Sequence, residues 1–118
     1  MIAALFLVLQ AQLSVPEAPM PVSPDQVTPP RQVYLPPIAQ YYPPEAMAKG
    51  EQGLTILRCV LDATGRLIEC TLHASSGSAA LDTAAFRIAQ DARYTPQHIG
   101  GKPVAVAVNL PVRWILAE

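Results

Sequence analysis

The residue types of a hydrolytic triad occur close together in the second half of this chain. In such a triad a histidine takes the proton of a serine nucleophile, and an acidic side chain orients the histidine. No nucleophile elbow of the GxSxG type surrounds a serine here, and serine and aspartate also serve as turn and helix-start residues. We therefore expect no enzyme activity, no catalytic residue and no cofactor. The residues concerned are His73, Ser75, Ser76 and Asp82.

The two cysteines, Cys59 and Cys70, flank a predicted turn. A two-residue loop at Thr64 and Gly65 places them directly opposite each other, within the Cα separation that a disulfide accepts. A four-residue loop over 62–65 sets them on a diagonal, where bonding requires a bulge. An oxidising compartment favours the disulfide over two buried thiols. Two cysteines without a nearby histidine pair are too few ligands for zinc, so no metal site is expected.

The turn joins two β-prone runs, LTILRCVL over 54–61 and RLIECTLHA over 66–74, with DATG between them. This is the pattern of a β-hairpin. The exposed Arg58 predicts that the odd residues of the first run are buried. In the second run apolar residues recur at the even positions Ile68, Cys70, Leu72 and Ala74, so we expect these four on its buried face.

Two helices and one more strand are predicted around this hairpin. Prolines in a first turn and a Lys-Gly end indicate a short helix over 43–49. Apolar residues at helical spacing predict an amphipathic helix over 78–92, capped by Ser78. Even positions from 104 to 116 are all apolar, which predicts a long strand with one buried face. Pro111 places that strand at a sheet edge, and Trp114 continues its buried face.

The first third of the chain differs in composition. Residues 1–13 contain an apolar run, Ile2 to Leu9, that is too short to span a bilayer and suits a secretory signal cut after Ala11. An uncleaved anchor with a misplaced start and a disordered apolar end are the two alternatives. Residues 14–41 read as a proline-rich linker, because ten of the 13 prolines lie between Pro16 and Pro44. The remainder, 42–118, forms the folded domain.

Charge excludes one class of partner. Lys and Arg total 8 against 9 acidic residues, with no run of either sign. A protein that follows phosphates needs a basic stripe, so nucleic-acid binding is not expected.

Several short motifs occur in a characteristic order. They are YPPEAMAKGEQG (42–53), SSG (75–77), LDTAA (81–85), RYTP (93–96) and GKPVAVAVNLP (101–111). Together they resemble the TonB C-terminal domain family over residues 42–116. The resemblance implies an α+β fold, a three-stranded antiparallel sheet with two helices, in agreement with the periodicity.

The resemblance also implies a function. Members couple an inner-membrane motor to outer-membrane receptors, and their C-terminal domain binds a short extended receptor segment, the TonB box, by strand addition. The edge strand over 103–110 is then the expected docking site, and the approach segment before the first helix supplies peripheral contacts. The predicted partner-binding residues are Val104, Ala105, Val106, Ala107, Val108, Asn109, Ala39, Gln40 and Tyr42. For Tyr42 a place in the core is the alternative.

Two hypotheses remain open at this point. The first is a transport component, located in the periplasm and contacting motor proteins if it is anchored in the inner membrane. The second is a free periplasmic adaptor or envelope scaffold that uses the same edge without transmitting force. An exposed edge can also pair with itself, so a homodimer is compatible with both. The receptor and the transported substrate are not encoded in these patterns.

Overall fold

The computed structural model describes residues 24–116, so the predicted apolar segment 1–13 and the start of the linker lie outside the described residues. A 3-10 turn at Pro24–Gln26 opens the described chain, and a second, Ile38–Tyr41, precedes the first helix. The remaining elements, in chain order, are β1 (Val27–Thr28), β2 (Arg31–Tyr34), α1 (Pro44–Ala48), β3 (Gly53–Leu61), β4 (Leu67–Ala74), α2 (Ala79–Asp91), β5 (Arg93–Thr95), β6 (Gln97–Ile99), β7 (Lys102–Val104) and β8 (Val106–Trp114).

The main sheet has three antiparallel strands in the order β4-β3-β8, and both helices contact one another. The predicted α+β fold is confirmed. The odd residues of β3 are buried as expected, with Thr55, Leu57 and Leu61 fully inaccessible to solvent. β8, the last described strand, pairs with the first strand of the hairpin, so β3 is the central strand of the main sheet.

The hairpin between β3 and β4 has neither of the two predicted loops. Asp62 N–H donates to the carbonyl of Arg66 at 2.9 Å, and Leu61 lies opposite Leu67. Odd residues thus face odd residues beside the turn, which buries Leu67 and turns Ile68 to the opposite face. The prediction that Ile68 is buried was therefore wrong, and the cause is the loop length.

A β-bulge in β4 corrects the register past the turn. Glu69 has a positive φ of 50°, and the pairing shifts by one residue so that Leu57 lies opposite Leu72. Bulges place one extra residue in a strand and allow the left-handed conformation. As a result Cys59 and Cys70 are bonded, with Cα atoms 4.0 Å apart. The predicted disulfide is confirmed, and it forms by the bulge and not by a two-residue loop.

The second helix covers the core side of the sheet. Ser78 caps α2 by accepting from the Leu81 N–H at 3.2 Å, as predicted. Leu81, Ala85 and Ile88 are fully buried against the strands. Leu72 lies opposite Leu57, on the face of the sheet that α2 covers, but it remains 45% exposed because β4 is an outer strand. Its predicted burial is incorrect.

The predicted continuous strand over 104–116 is interrupted. Residues 97–104 turn back at Gly100 and Gly101 to form a β6–β7 hairpin, and Val104 pairs with Gln97. Ala105 then separates β7 from β8. The two glycines with positive φ close a tight turn ahead of the predicted strand, and this turn pairs Val104 with β6 and not with β3. The uniform apolar pattern did not reveal this change of partner.

Part of the proline-rich segment pairs with the domain. β1 pairs with β6, and β2 pairs with β5, both antiparallel. All four side chains of β2 are exposed, so this strand adds a ladder without adding to the core. Further along the same segment, Leu35 and Ile38 are partly buried and pack against the core. The proposed domain boundary at residue 42 stays a prediction. Over residues 24–116 no helix has the length and apolarity that crossing a membrane requires.

Removing the disulfide by replacing both Cys59 and Cys70 with Ala should lower the free energy of unfolding by about 2 to 3 kcal/mol, because a short closed loop restricts the unfolded chain. Urea denaturation of the oxidised protein and of the double variant measures this. Intact mass after alkylation, with and without reductant, checks the bond directly. Two free thiols in protein isolated from an oxidising compartment would contradict it.

Replacing Gly65 with Ala should destabilise the hairpin by about 3 kcal/mol. Its φ is 93°, and an added Cβ would stand 2.0 Å from the Tyr94 carbonyl oxygen. Gly77→Ala is a matched control, since Gly77 has a φ of 96° but open space around it. That control should cost only about 1 kcal/mol. Equal losses in thermal denaturation would show that the contact with Tyr94 is unimportant.

Candidate functional site

The outer edge of β8 is open in the described part of the chain. β8 pairs with β3 on one side, and no other described strand lies along its second side. Its odd residues Ala107, Asn109 and Arg113 are exposed, while Leu110 and Val112 are buried under α2. A strand in this position offers unpaired main-chain groups to another extended segment.

Pro111 indicates which main-chain groups of β8 face outward. It lies opposite Ile56 within a continuous ladder and has no N–H to donate. A proline is accommodated in a strand where its nitrogen faces away from the neighbour. Because main-chain groups alternate in direction along an antiparallel strand, the N–H and C=O groups of Ala107 and Asn109 also face the open edge.

The structure divides the predicted docking segment. Residues 106–109 lie in β8, on the open edge. Val104 belongs to β7, which pairs with β6, and Ala105 lies between the two strands. A continuous ladder with a ligand can therefore begin at Val106, not at residue 103.

The predicted peripheral contacts lie at the other end of β8. Ala39 and Gln40 are exposed in the 3-10 turn. Tyr42 is only 7% exposed; its hydroxyl donates to the Glu51 carbonyl and its ring meets Trp114 edge-on at 5.2 Å. Burial raises the pKa of the Tyr42 hydroxyl. Trp114 and Val106 are separated by about 26 Å of strand at roughly 3.3 Å per residue.

Beside the 3-10 turn lies an open groove of about 660 Å³ between the approach segment and α2. Arg87 stands 6.0 Å above the centre of the Tyr41 ring, and the Tyr41 hydroxyl donates to Asp91. That hydrogen bond raises the pKa of Tyr41. Sequence reasoning missed this groove; the doubled tyrosine before two prolines was the available signal. Its lining includes Gln40, Tyr41, Pro44, Glu45, Thr83 and Arg87.

A buried carboxylate joins the loop before α2 to the sheet. Asp82 is 8% exposed, and one of its oxygens accepts from the Thr55 hydroxyl at 2.8 Å, the Ser76 hydroxyl at 2.8 Å and the Ser76 N–H at 2.9 Å. Its second oxygen accepts from the Ser75 hydroxyl. A buried charge is tolerated when it is hydrogen-bonded in this way.

The same chain of hydrogen bonds reaches β8. The indole N–H of Trp114 donates to the Thr55 hydroxyl oxygen at 3.1 Å, and the Thr55 hydroxyl donates to Asp82. α2, β3 and β8 are thereby connected through the core. Thr55 was the missed residue: a hydroxyl on an otherwise apolar buried face needs a partner.

Asp82 stays ionised because of these donors. Burial by itself would raise the pKa of its carboxyl, but the hydrogen bonds from Ser75, Ser76 and Thr55 outweigh it, and the pKa lies below its ordinary value. A lowered pKa in the folded protein means that folding is favoured by the charged form.

The serines and the aspartate that resemble a hydrolytic triad therefore have structural roles. Ser75 and Ser76 both donate to Asp82, so neither hydroxyl is directed by a histidine. Within 24–116, His73 makes no hydrogen bond to these residues, and it lies exposed on β4. The described residues also contain no group of three or more His, Cys, Asp or Glu side chains placed to hold a metal ion.

Comparison with known proteins agrees with this architecture. Residues 38–116 match the family model described as Gram-negative bacterial TonB protein C-terminal. The chain belongs to the TonB C-terminal domain family. Its structure is similar to the solution NMR structure of the Pseudomonas aeruginosa TonB CTD, with a TM-score of 0.61 and 20% identity over 82% of this chain and 93% of that one.

Sequence relatives carry the same family name. The chain is 35% identical over 75 residues to Protein TonB of Vibrio cholerae, and 39% identical over 62 residues to Protein TonB of Pseudomonas putida. These matches cover 64% and 51% of this chain but only 31% and 26% of the relatives. The chain therefore spans about a third or less of the length of these TonB proteins.

Replacing Asp82 with Asn should lower the free energy of unfolding at pH 7 by about 2 to 3 kcal/mol, because hydrogen bonds to a buried charge are lost or inverted. The lowered pKa fixes the pH dependence: the contribution is complete above the unfolded value of about 3.8 and disappears as pH falls through the folded value. Urea denaturation at pH 7 and pH 3 measures both.

Glu45→Gln, at an exposed carboxylate of α1, is the control. The difference between wild type and Asp82→Asn should shrink at pH 3, whereas Glu45→Gln should change little at either pH. A difference for Asp82→Asn that is unchanged at pH 3 would contradict the role of the charge.

Proposed function

We propose that this protein is a periplasmic TonB-like module that binds an extended segment of an outer-membrane receptor by strand addition along β8. In this role it is a transport component of energy coupling and not an enzyme. The observation that carries the proposal is the outer edge of β8, along which no other strand of residues 24–116 pairs, in a domain of the TonB C-terminal family.

The side chains of this edge favour close approach of another backbone. Ala107 and Asn109 are exposed and small, and they precede Pro111, which cannot donate to a ladder. Val106 and Val108 are half-buried on the other face and can contact apolar side chains of a ligand. Main-chain hydrogen bonds would supply affinity, and the alternating faces would supply selectivity.

The other edge of the main sheet is a poorer template. β4 is interrupted by the bulge at Glu69, and its pairing with β3 shifts register twice. Bulges bend an edge strand and disturb the regular row of donors and acceptors that strand addition needs. A ligand strand would consequently select β8.

Trp114 fixes the C-terminal end of β8 in the core. It is 1% exposed, packs against Tyr42, and is hydrogen-bonded to Thr55. Because the end of β8 is fixed in the core, a ligand on this strand would pull on a braced element. The groove beside Gln40 and Tyr41 is the proposed peripheral contact.

Whether the domain is anchored in the inner membrane decides between two roles, a transducer that transmits force and a free adaptor that only binds its partner. If its N-terminal segment is anchored, contact with inner-membrane motor proteins is expected; if the segment is cleaved near Ala11, the domain would act as a free adaptor on the same edge. N-terminal sequencing of protein from envelope fractions distinguishes the two.

Amide hydrogen exchange with a synthetic peptide from a receptor's N-terminal segment tests the site. We expect added protection of Ala107 and Asn109, whose N–H groups face the open edge. Protection confined to β4 would show that the wrong edge has been assigned, and the absence of protection at both strands would contradict strand addition.

Replacing Ala107 with Pro should weaken peptide binding by about 1 to 3 kcal/mol, because it removes one outward N–H. Ala107→Ser keeps that N–H and is the matched control, expected to bind within about 1 kcal/mol of wild type. Calorimetry gives the affinities, and circular dichroism must first show both variants folded. Equal affinity of a folded Ala107→Pro variant would contradict pairing at this residue.

A further inference from the structure

Asn109 is the one amide side chain on the open edge of β8, and it is hydrogen-bonded to a side chain of β3. Its Oδ1 accepts from Nη1 of Arg58 at 2.9 Å, across the β3–β8 pair in which the two residues lie directly opposite. Both side chains are exposed on the sheet face that α2 does not cover.

The chemistry of arginine sets the orientation of this amide. A guanidinium group has only donors, so the Asn109 atom facing Arg58 must be the oxygen. The two N–H groups on Nδ2 are then directed away from β3. Over residues 24–116 no group accepts a hydrogen bond from Nδ2. Arg58 thus leaves two donors of Asn109 available at the open edge.

A strand added to β8 would bring one of its side chains beside these donors. Directly opposite residues on neighbouring antiparallel strands have Cβ atoms about 4.5 to 5.5 Å apart. A side chain on the ligand residue opposite Asn109 therefore lies within hydrogen-bonding reach of Nδ2. An oxygen in that side chain would satisfy the donors, whereas an aliphatic group would cover them without a partner.

Charge on this face favours a carboxylate. Among the outward residues of β3 and β8 the charged side chains are Arg58 and Arg113, and both are cationic. Across β3, Arg58 is flanked by Thr71 of β4, which adds no charge. A carboxylate accepts stronger hydrogen bonds than a neutral oxygen.

We propose that Asn109, held in one orientation by Arg58, selects ligand strands that carry an acidic side chain at the position opposite it. Asn109 is the contacting residue and Arg58 is a positioning residue. The inference rests on the strand addition proposed above and names a specificity of that same edge.

The test uses blocked octapeptides of alternating threonine and valine in which one threonine is replaced by Asp or by Leu. Calorimetry with the full chain measures the ratio of the two affinities. We expect the Asp peptide to bind wild type about three- to tenfold more tightly than the Leu peptide. The ratio should fall to about one in Asn109→Leu and decrease in Arg58→Leu.

Two variants separate positioning from general stability. Arg58→Lys retains a donor and a charge and should restore most of the preference. Arg66→Leu removes an arginine from the hairpin turn, away from the edge, and should leave the ratio at its wild-type value. Circular dichroism confirms that each variant is folded.

The outcomes distinguish this inference from the proposed function. Amide protection along β8 by both peptides, with the same ratio in wild type and Asn109→Leu, would overturn the selection by Asn109 while strand addition stands. An undiminished ratio in Arg58→Leu would overturn its positioning role. Failure of every peptide to protect β8 would overturn both proposals.

Discussion

The buried hydrogen-bonded chain from Trp114 through Thr55 to Asp82 is the constraint on which this small domain depends. Each residue comes from a different element: β8, β3 and the first turn of α2. Polar groups in a core are costly unless every donor and acceptor has a partner, so the chain permits only one relative placement of these elements. Apolar packing alone would tolerate small shifts between the helix and the sheet.

That placement determines the character of the two sheet edges. β8 remains regular because alternate residues enter the core and Trp114 closes its end. β4 instead contains one extra residue at the Glu69 bulge, which shifts its register against β3. This bulge places Cys70 against Cys59. The disulfide thus lies at the irregular edge, and the regular edge of β8 is the one to which we assign the proposed ligand strand. An added strand would meet a rigid template, which lowers the ordering cost of binding.

Membership in the TonB C-terminal domain family accounts for the motif order, and the structure gives physical roles to its parts. The SSG and LD residues surround one carboxylate, and Gly65 lies against the Tyr94 carbonyl so that the hairpin turn packs on β5. The tyrosine before the first helix belongs to the core beneath β8. These motifs therefore preserve the shape of the domain, whereas the docking edge proposed above consists mainly of main-chain groups.

The sequence by itself determined the elements whose periodicity is local: the capped helix α2, the odd buried face of β3 and the even buried residues at the end of β8. It also indicated the disulfide pair and the edge position implied by Pro111. Only the tertiary structure decided the register of β4, since a bulge at Glu69 depends on how the turn closes. It likewise decided the break at Ala105, because the β6–β7 hairpin competes with strand continuation, and the partner of Thr55, because a hydrogen bond across 27 residues of chain leaves no local pattern.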